Sequence, residues 1–271
     1  MSLAKEILLR AQKNVFNSKS SEHLSKIRGE GLDFCEIRPY QAGDDIRKIN
    51  FSASGKTGEL QTNVFNEDKQ INVQICVLLS SSLHFGSVRL KNEVIAEIIA
   101  HLGYSSVQQK NKTKVVFFFN NEQQVFHLNN KGDLLGVIEK MLDFDLLKTQ
   151  LNTELLNTYL AQQPKSLAFI IGDFYQHQNY ATIAHKNQIN AIIVRDALEE
   201  LPNFGAKLGL INAQNNSTIE ANIDNKTAQK YNHKLKNEDD KRYQHFAMHK
   251  IKVGKIYTNE DVFSKLSQIL R

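Results

Sequence analysis

Ser80, Ser81, Ser82 and His84 follow the apolar run Ile71 to Leu79, and Asp173 follows the apolar run LAFIIG. Runs of this kind read as buried strands, which places both groups at the carboxyl ends of strands, where open α/β sheets bind ligands. Hydroxyl and carboxylate oxygens there are hard donors of the sort that Mg2+ takes. The serines beside His84 also suggest a nucleophile and a base, although adjacency in sequence does not fix hydrogen-bond geometry. The plainer readings are a serine-rich turn that caps the next helix and an Asp that caps a helix or turn. LLSSSLHFGS contains neither the G-x-G-x-x-G of a dinucleotide loop nor the G-x-S-x-G of a nucleophile elbow, which speaks against a Rossmann oxidoreductase and an α/β hydrolase.

The densest charged stretch is Arg38-Pro39-Tyr40-Gln41-Ala42-Gly43-Asp44-Asp45-Ile46-Arg47. Pro39 fixes one backbone angle, Gly43 permits a tight turn, and the carboxylates alternate with Arg38 and Arg47 at spacings that suit bidentate ion pairs. A catalytic Asp pair or a partner-docking loop is one reading. A salt-bridged brace between the N-terminal segment and the central sheet is the other, and it is the expectation because no nucleophile or metal set accompanies the motif. Ser54-Gly55-Lys56-Thr57 resembles the end of a phosphate-binding loop, but position 50 is Asn50 where that pattern needs Gly. The following GELQTNVF reads as a strand, whereas a phosphate loop opens a helix. Cys35 and Cys76 have neither disulfide nor zinc-site spacing and are expected to be small buried hydrophobes.

These groups need elements to hold them. The 271 residues are 41% hydrophobic, enough for one or two cores, and three prolines with thirteen glycines suit helices alternating with strands. Residues 3 to 16 carry Leu3, Ile7, Leu8, Ala11 and Val15 on one face, an amphipathic helix that docks on the body of the protein. A polar Ser-rich connector leads to a Gly-punctuated region up to about residue 69, expected as short β segments and turns rather than helix. From residue 70, apolar strands at 71–79, 114–119, 167–172 and 189–194 alternate with helices at 88–107, 134–142, 151–160 and 175–186, and a further short strand lies at 125–128. That order gives a doubly wound, mainly parallel sheet covered on both faces. Beyond Pro202, strands near 206–211, 218–223 and 250–253 and helices near 226–248 and 261–270 read as an extension of the same sheet. The expected division is 1–69, 70–200 and 201–271.

Charge is distributed unevenly. Lys and Arg number 34 against 29 Asp and Glu, a formal +5, and residues 226–255 hold nine of the basic residues against three acidic ones. That segment is a solvated helix face or a strip for an acidic partner. No apolar run reaches the roughly 20 residues of a membrane span, and the N-terminus does not read as a secretory signal, so the expectation is a cytoplasmic protein without a span.

The runs GEGLDFCEIRPYQAGDDIRKINFSAS, LLSSSLHFGS, IIGDF, RDALEELPNFG and IYTNEDVFSKL together resemble the domain of unknown function fifty-eight (DUF58) family, bacterial relatives of von Willebrand factor type A domains. The resemblance spans Gly29 to Leu270 and is most specific at E-x-R-x-Y-x-x-G-D-D-x-R-x-I. It implies a von Willebrand A-type sheet and a non-enzymatic adaptor or scaffold that works with a MoxR-type AAA+ ATPase and its client, and the contact is expected on the face that carries Ser80, Ser82 and Asp173. It also implies a degenerate metal site. Ser80 and Ser82 match the two serines of the D-x-S-x-S pattern, Leu78 stands where that pattern has its Asp, and Asp173 matches the later acidic ligand. No cofactor is expected beyond weakly held Mg2+, with Asp33 and Glu36 as stand-in ligands only if the N-terminal segment folds over the site. Phe51 stands where the family often has Trp, and Asn212 where Asp is common. The alternatives are a metal-dependent hydrolase using Asp44, Asp45 or Asp173, and a nucleic-acid-binding protein using the basic 226–255 segment.

Overall fold

Successive side chains of a strand point to opposite faces, and in this protein both faces of the central strands are apolar. A computed structural model describes residues 2–17, 34–65, 70–147, 149–176, 178–202, 207–211, 218–222 and 225–270. In chain order the elements are α1 (Leu3–Asn17), β1 (Phe34–Pro39), α2 (Phe51–Thr57), β2 (Gln61–Phe65), β3 (Asn72–Leu78), α3 (Lys91–Gln108), β4 (Lys112–Phe119), β5 (Glu122–Leu128) and α4 (Lys131–Leu142). They continue as α5 (Thr153–Gln162), β6 (Leu167–Gly172), α6 (Ala181–Lys186), β7 (Gln188–Arg195), α7 (Ala197–Glu200), β8 (Lys207–Ile211), β9 (Thr218–Asn222), α8 (Asn225–Met248), β10 (Lys252–Tyr257) and α9 (Val262–Ile269).

Six strands form the main sheet in the order β10-β7-β6-β3-β4-β5, parallel except for the β4–β5 pair. This is a mixed α/β fold with a mainly parallel sheet flanked by helices. Val73, Ile75 and Val77 of β3 face one core with Phe117, Ile171, Ile192 and Ile256, closed by α1, α3, α4 and α9. Cys76 and Leu78 face the other with Phe118, Ile170 and Ile193, closed by α5, α6 and α8. Helix α3 is buried nearly all round, because the sheet covers one side and α1, α4 and α9 the rest. Its buried Glu97 is reached by Arg89 and, at 3.8 Å, by Arg10 of α1, so an ion pair reinforces the apolar docking of α1. Among the described residues no helix is long and apolar enough to cross a membrane.

Three expectations need correction. Residues 51–57 form α2, because Asn50 caps the first turn by accepting from Ala53 N–H and Gly58, at φ +76°, ends the helix in the left-handed region. The expected helix over 175–186 is confined to Ala181–Lys186. Phe174 adopts φ +54°, which a helix cannot accommodate, and its ring is held edge-on to Phe246 at 5.9 Å. β8 and β9 pair with each other as a separate two-stranded sheet, so of the expected C-terminal extension it is β10 that joins the main sheet, beside β7.

Phe117 sits at the middle of the first core, fully buried, with Phe126 and Phe144 at ring-centroid distances of 5.1 and 6.2 Å. Phe117→Ala is expected to lower stability by about 3–5 kcal/mol, read as a lower urea midpoint at unchanged slope. A loss under about 1 kcal/mol would mean that the core collapses onto the vacancy.

Candidate functional site

The chain runs from β3 outward to β4 and β5, then returns to place β6 on the other side of β3. The carboxyl ends of β3 and β6 therefore flank the point where strand order reverses, the usual ligand position in open α/β sheets. Ser80 and Ser82 follow β3 and Asp173 follows β6, so the structure brings the three residues together there. The two hydroxyl oxygens are 2.7 Å apart, and both serines donate to Asp173 Oδ2, Ser80 at 3.3 Å. Asp173 is buried.

The loop from β3 to α3 is pinned by Gly86. A Cβ there would lie 1.9 Å from the Arg89 carbonyl oxygen, so only glycine lets the chain pass. The turn delivers Lys91 as the first residue of α3, fully buried. Its ammonium contacts both oxygens of Glu199 at 2.9 and 2.8 Å and Asp173 Oδ2 at 3.5 Å. Burial pushes the Glu199 carboxyl above its ordinary range, and Lys91 opposes that rise. Arg195, at the end of β7 and likewise fully buried, donates Nε to the Asp173 carbonyl at 2.7 Å and lies 3.7 Å from the centroid of the Tyr175 ring.

Asp196 is a further buried carboxylate of this edge. It accepts from Ser87 N–H and Oγ, both at 2.8 Å, from Leu198 N–H at 2.9 Å, where it caps α7, and from the Thr258 hydroxyl beyond β10. Burial acts to raise its carboxyl, but the hydrogen bonds from Ser87, Thr258 and Leu198 prevail and hold it below its ordinary value. Beyond it, Asp239 of α8 pairs with Arg195 at 3.3 Å, Lys255 at 3.0 Å and Arg242. Lys255 also reaches Glu200 at 2.7 Å.

Sequence reasoning missed Lys91, Arg195, Asp196 and Glu199 as site residues. Asp196 carried a signal, since it follows the apolar run Ile189 to Val194 just as Asp173 follows its own run. Lys91 and Glu199 carried none, because their meeting depends on packing across the sheet edge.

With Lys91 in place, the donor set fits Mg2+ poorly. The hydroxyls and Asp173 are present, but Leu78 occupies the acidic position with an apolar side chain in the second core, and a buried ammonium stands 3.5 Å from the remaining carboxylate. Glu36 is exposed on β1, and Asp33 lies outside the described residues. Among the described residues, no three His, Cys, Asp or Glu side chains cluster in a metal-binding group. A serine nucleophile is no better served. His84 is exposed, neither Ser80 nor Ser82 bonds to a histidine, and the Lys91 amine is held by Asp173 and Glu199 rather than by either serine.

The Arg38–Arg47 motif forms its ion pairs, but within itself. Arg38 makes a bidentate pair with Asp44 at 2.8 Å for each bond, Asp44 also accepts from Gln41 N–H at 2.9 Å, and Tyr40 donates to the Asp44 carbonyl. Asp45 caps the 3-10 turn Ile46–Lys48 and holds Arg47. The expected brace to the central sheet is therefore a self-contained lock on the connection between β1 and β2. A segment this polar inside turns apolar side chains outward. Between residues 36 and 63 only Gln61 and Thr62 are buried, while Ile46, Phe51 and Leu60 are 68%, 75% and 52% exposed. The tetrapeptide Ser54–Thr57 ends α2 rather than opening a helix. Cys76 is buried, which pushes its thiol upward; the surroundings of Cys35 and the placement of Asn212 lie outside the described residues. Of the nine basic residues in 226–255, Arg242 and Lys255 are paired inside and seven lysines are exposed.

The family model described as "Protein of unknown function DUF58" matches residues 36–241. Uncharacterised proteins of Mycobacterium tuberculosis (Rv1480) and Mycobacterium bovis (Mb1516) are each 32% identical over 66 residues, which is 24% of this chain and 21% of theirs. The matched stretch thus spans about a fifth of the length of these curated relatives. Among solved structures, the conserved hypothetical protein BatB of Bacteroides thetaiotaomicron aligns over 74% of this chain and 97% of its own, at 12% identity and a TM-score of 0.43. An aerotolerance-related membrane protein of Bacteroides fragilis aligns over 74% and 96%, at 12% identity and a TM-score of 0.42.

A carboxylate held below its ordinary value stabilises the fold above its unfolded pKa and loses that contribution as pH falls through the folded one. Asp196→Asn is expected to cost about 2 kcal/mol at pH 7, with the gap to wild type narrowing below about pH 4. Urea unfolding at pH 7 and pH 3 measures both; an equal gap at the two pH values would contradict an electrostatic origin.

Proposed function

This chain belongs to the DUF58 family, and we propose that it is a non-enzymatic adaptor whose partner is a AAA+ ATPase of the MoxR type, with the sheet read as a von Willebrand A-type domain. The observation that supports this reading is the contrast between the carboxyl edge of the main sheet and residues 34–65. At the sheet edge, Lys91, Asp173 and Glu199 satisfy one another, and neither Ser80 nor Ser82 bonds to a histidine. In residues 34–65, a polar lock turns Ile46, Phe51 and Leu60 outward. Exposed large apolar side chains on a rigidly braced segment are a protein-contact feature, because water solvates them at a cost that a partner removes. The contact is therefore assigned to this segment rather than to Ser80, Ser82 and Asp173, of which Asp173 is buried. The family resemblance supplies the nature of the partner, and its client is whatever protein that ATPase remodels.

The test is association of the purified chain with a MoxR-type ATPase of the same genome, measured with and without ATP. A saturable complex is expected, weakened at least about tenfold by Phe51→Asp, a loss of roughly 1.4 kcal/mol, with an unchanged melting temperature because Phe51 supports no core. Absence of association in both nucleotide states, with no change in ATPase rate, overturns the proposal.

A further inference from the structure

Lys91 occupies a position that two electrostatic rules oppose. It is the first residue of α3, where the helix dipole is positive and a cation is disfavoured, and Leu90 before it provides no side-chain cap. It is also 0% exposed, and an ammonium taken wholly out of water costs several kcal/mol unless it is paired. A lysine buried there needs negative charge around it. What surrounds it answers that requirement: two carboxylates, Asp173 Oδ2 at 3.5 Å and Glu199 at 2.8 and 2.9 Å, with the Tyr175 ring centroid 5.3 Å away. Asp173 Oδ2 in turn takes the Ser80 and Ser82 hydroxyls.

Two hydroxyl and two carboxylate groups gathered at the carboxyl ends of β3, β6 and β7 make an oxygen set of the kind that hard divalent cations use. The ammonium lies in direct contact with both carboxylates, and its three N–H bonds, unlike a metal ion, come tethered to α3. We infer that the Lys91 ammonium takes the place of a divalent cation at this sheet edge, cross-linking the start of α3 to the turn after β6 and to α7, so that the edge assembles without metal. A divalent ion added to it would meet a fixed positive charge. Removing that charge while leaving Ser80, Ser82, Asp173 and Glu199 in place uncovers a latent cation site. This inference stands apart from the identity of any protein partner.

Mn2+ uptake by the full chain, followed by calorimetry and by the electron paramagnetic resonance signal of the free ion, tests it. Wild type is expected to bind no Mn2+ with a Kd below about 1 mM, and its melting temperature to be the same in EDTA and in Mn2+. Lys91→Ala is expected to take up one Mn2+ per chain and to melt about 3 °C higher at ten times its Kd, and to lose both effects when Asp173→Asn is added. Stoichiometric Mn2+ binding by wild type that Asp173→Asn abolishes overturns the inference, as does a folded Lys91→Ala that takes up none. If Lys91→Ala does not fold, the wild-type titration decides alone: no uptake supports the inference, and uptake lost in Asp173→Asn overturns it.

Discussion

A lysine with no exposed surface needs partners for its amine, and the pairing of Lys91 with Asp173 and Glu199 organises the carboxyl edge of the sheet. Lys91 cannot be buried at the head of α3 unless Asp173 and Glu199 are brought to it. Asp173 reaches it because residues 173–176 leave β6 in a non-helical course, with Phe174 at a positive φ. Glu199 reaches it because Asp196 turns the chain into α7 directly after β7. The non-helical turn after β6 and the helical turn after β7 thus both serve one ion cluster.

The same edge fixes the C-terminal part of the chain. Asp196 binds Thr258 after β10, and Arg89 donates to the carbonyls of Thr258 and Glu260, each at 2.9 Å. Asp239 fastens α8 to the sheet through Arg195 and Lys255. Two of the basic residues that make 226–255 conspicuous are therefore internal counterions, and only the exposed lysines are free to face a partner. Satisfying buried charge with protein groups leaves little for an added ion or substrate to bind, whereas the β1–β2 segment, which spends its ion pairs on itself, presents apolar side chains to solvent.

Much of the fold was legible because burial leaves a periodic trace. The continuous apolar runs at Ile71–Leu79 and Leu167–Gly172 are short and rich in Val, Ile and Leu, as strands covered on both sides are, and α1 shows its docking face in the spacing of Ile7, Leu8 and Ala11. The misreadings have local causes. Asn50 caps a short helix inside a Gly-rich stretch that pattern alone assigns to turns. The 175–186 stretch looks helical, yet Phe174 and Tyr180 are drawn into the core against Phe246. The Arg38–Asp44 pair was visible as a pair, but six residues of separation did not reveal that it closes on its own turn rather than on the sheet.

By itself the sequence determined that this is a mainly parallel α/β protein with Ser80, Ser82 and Asp173 at strand ends, because alternation and apolar runs are local properties of the chain. Only the tertiary structure decided what those residues do. Lys91 and Glu199 are 108 positions apart and Lys91 and Asp173 lie on different elements, so no spacing rule joins them. The energy of a buried charge depends on which groups surround it in space, and those neighbours exist only once β3, β6 and β7 lie side by side.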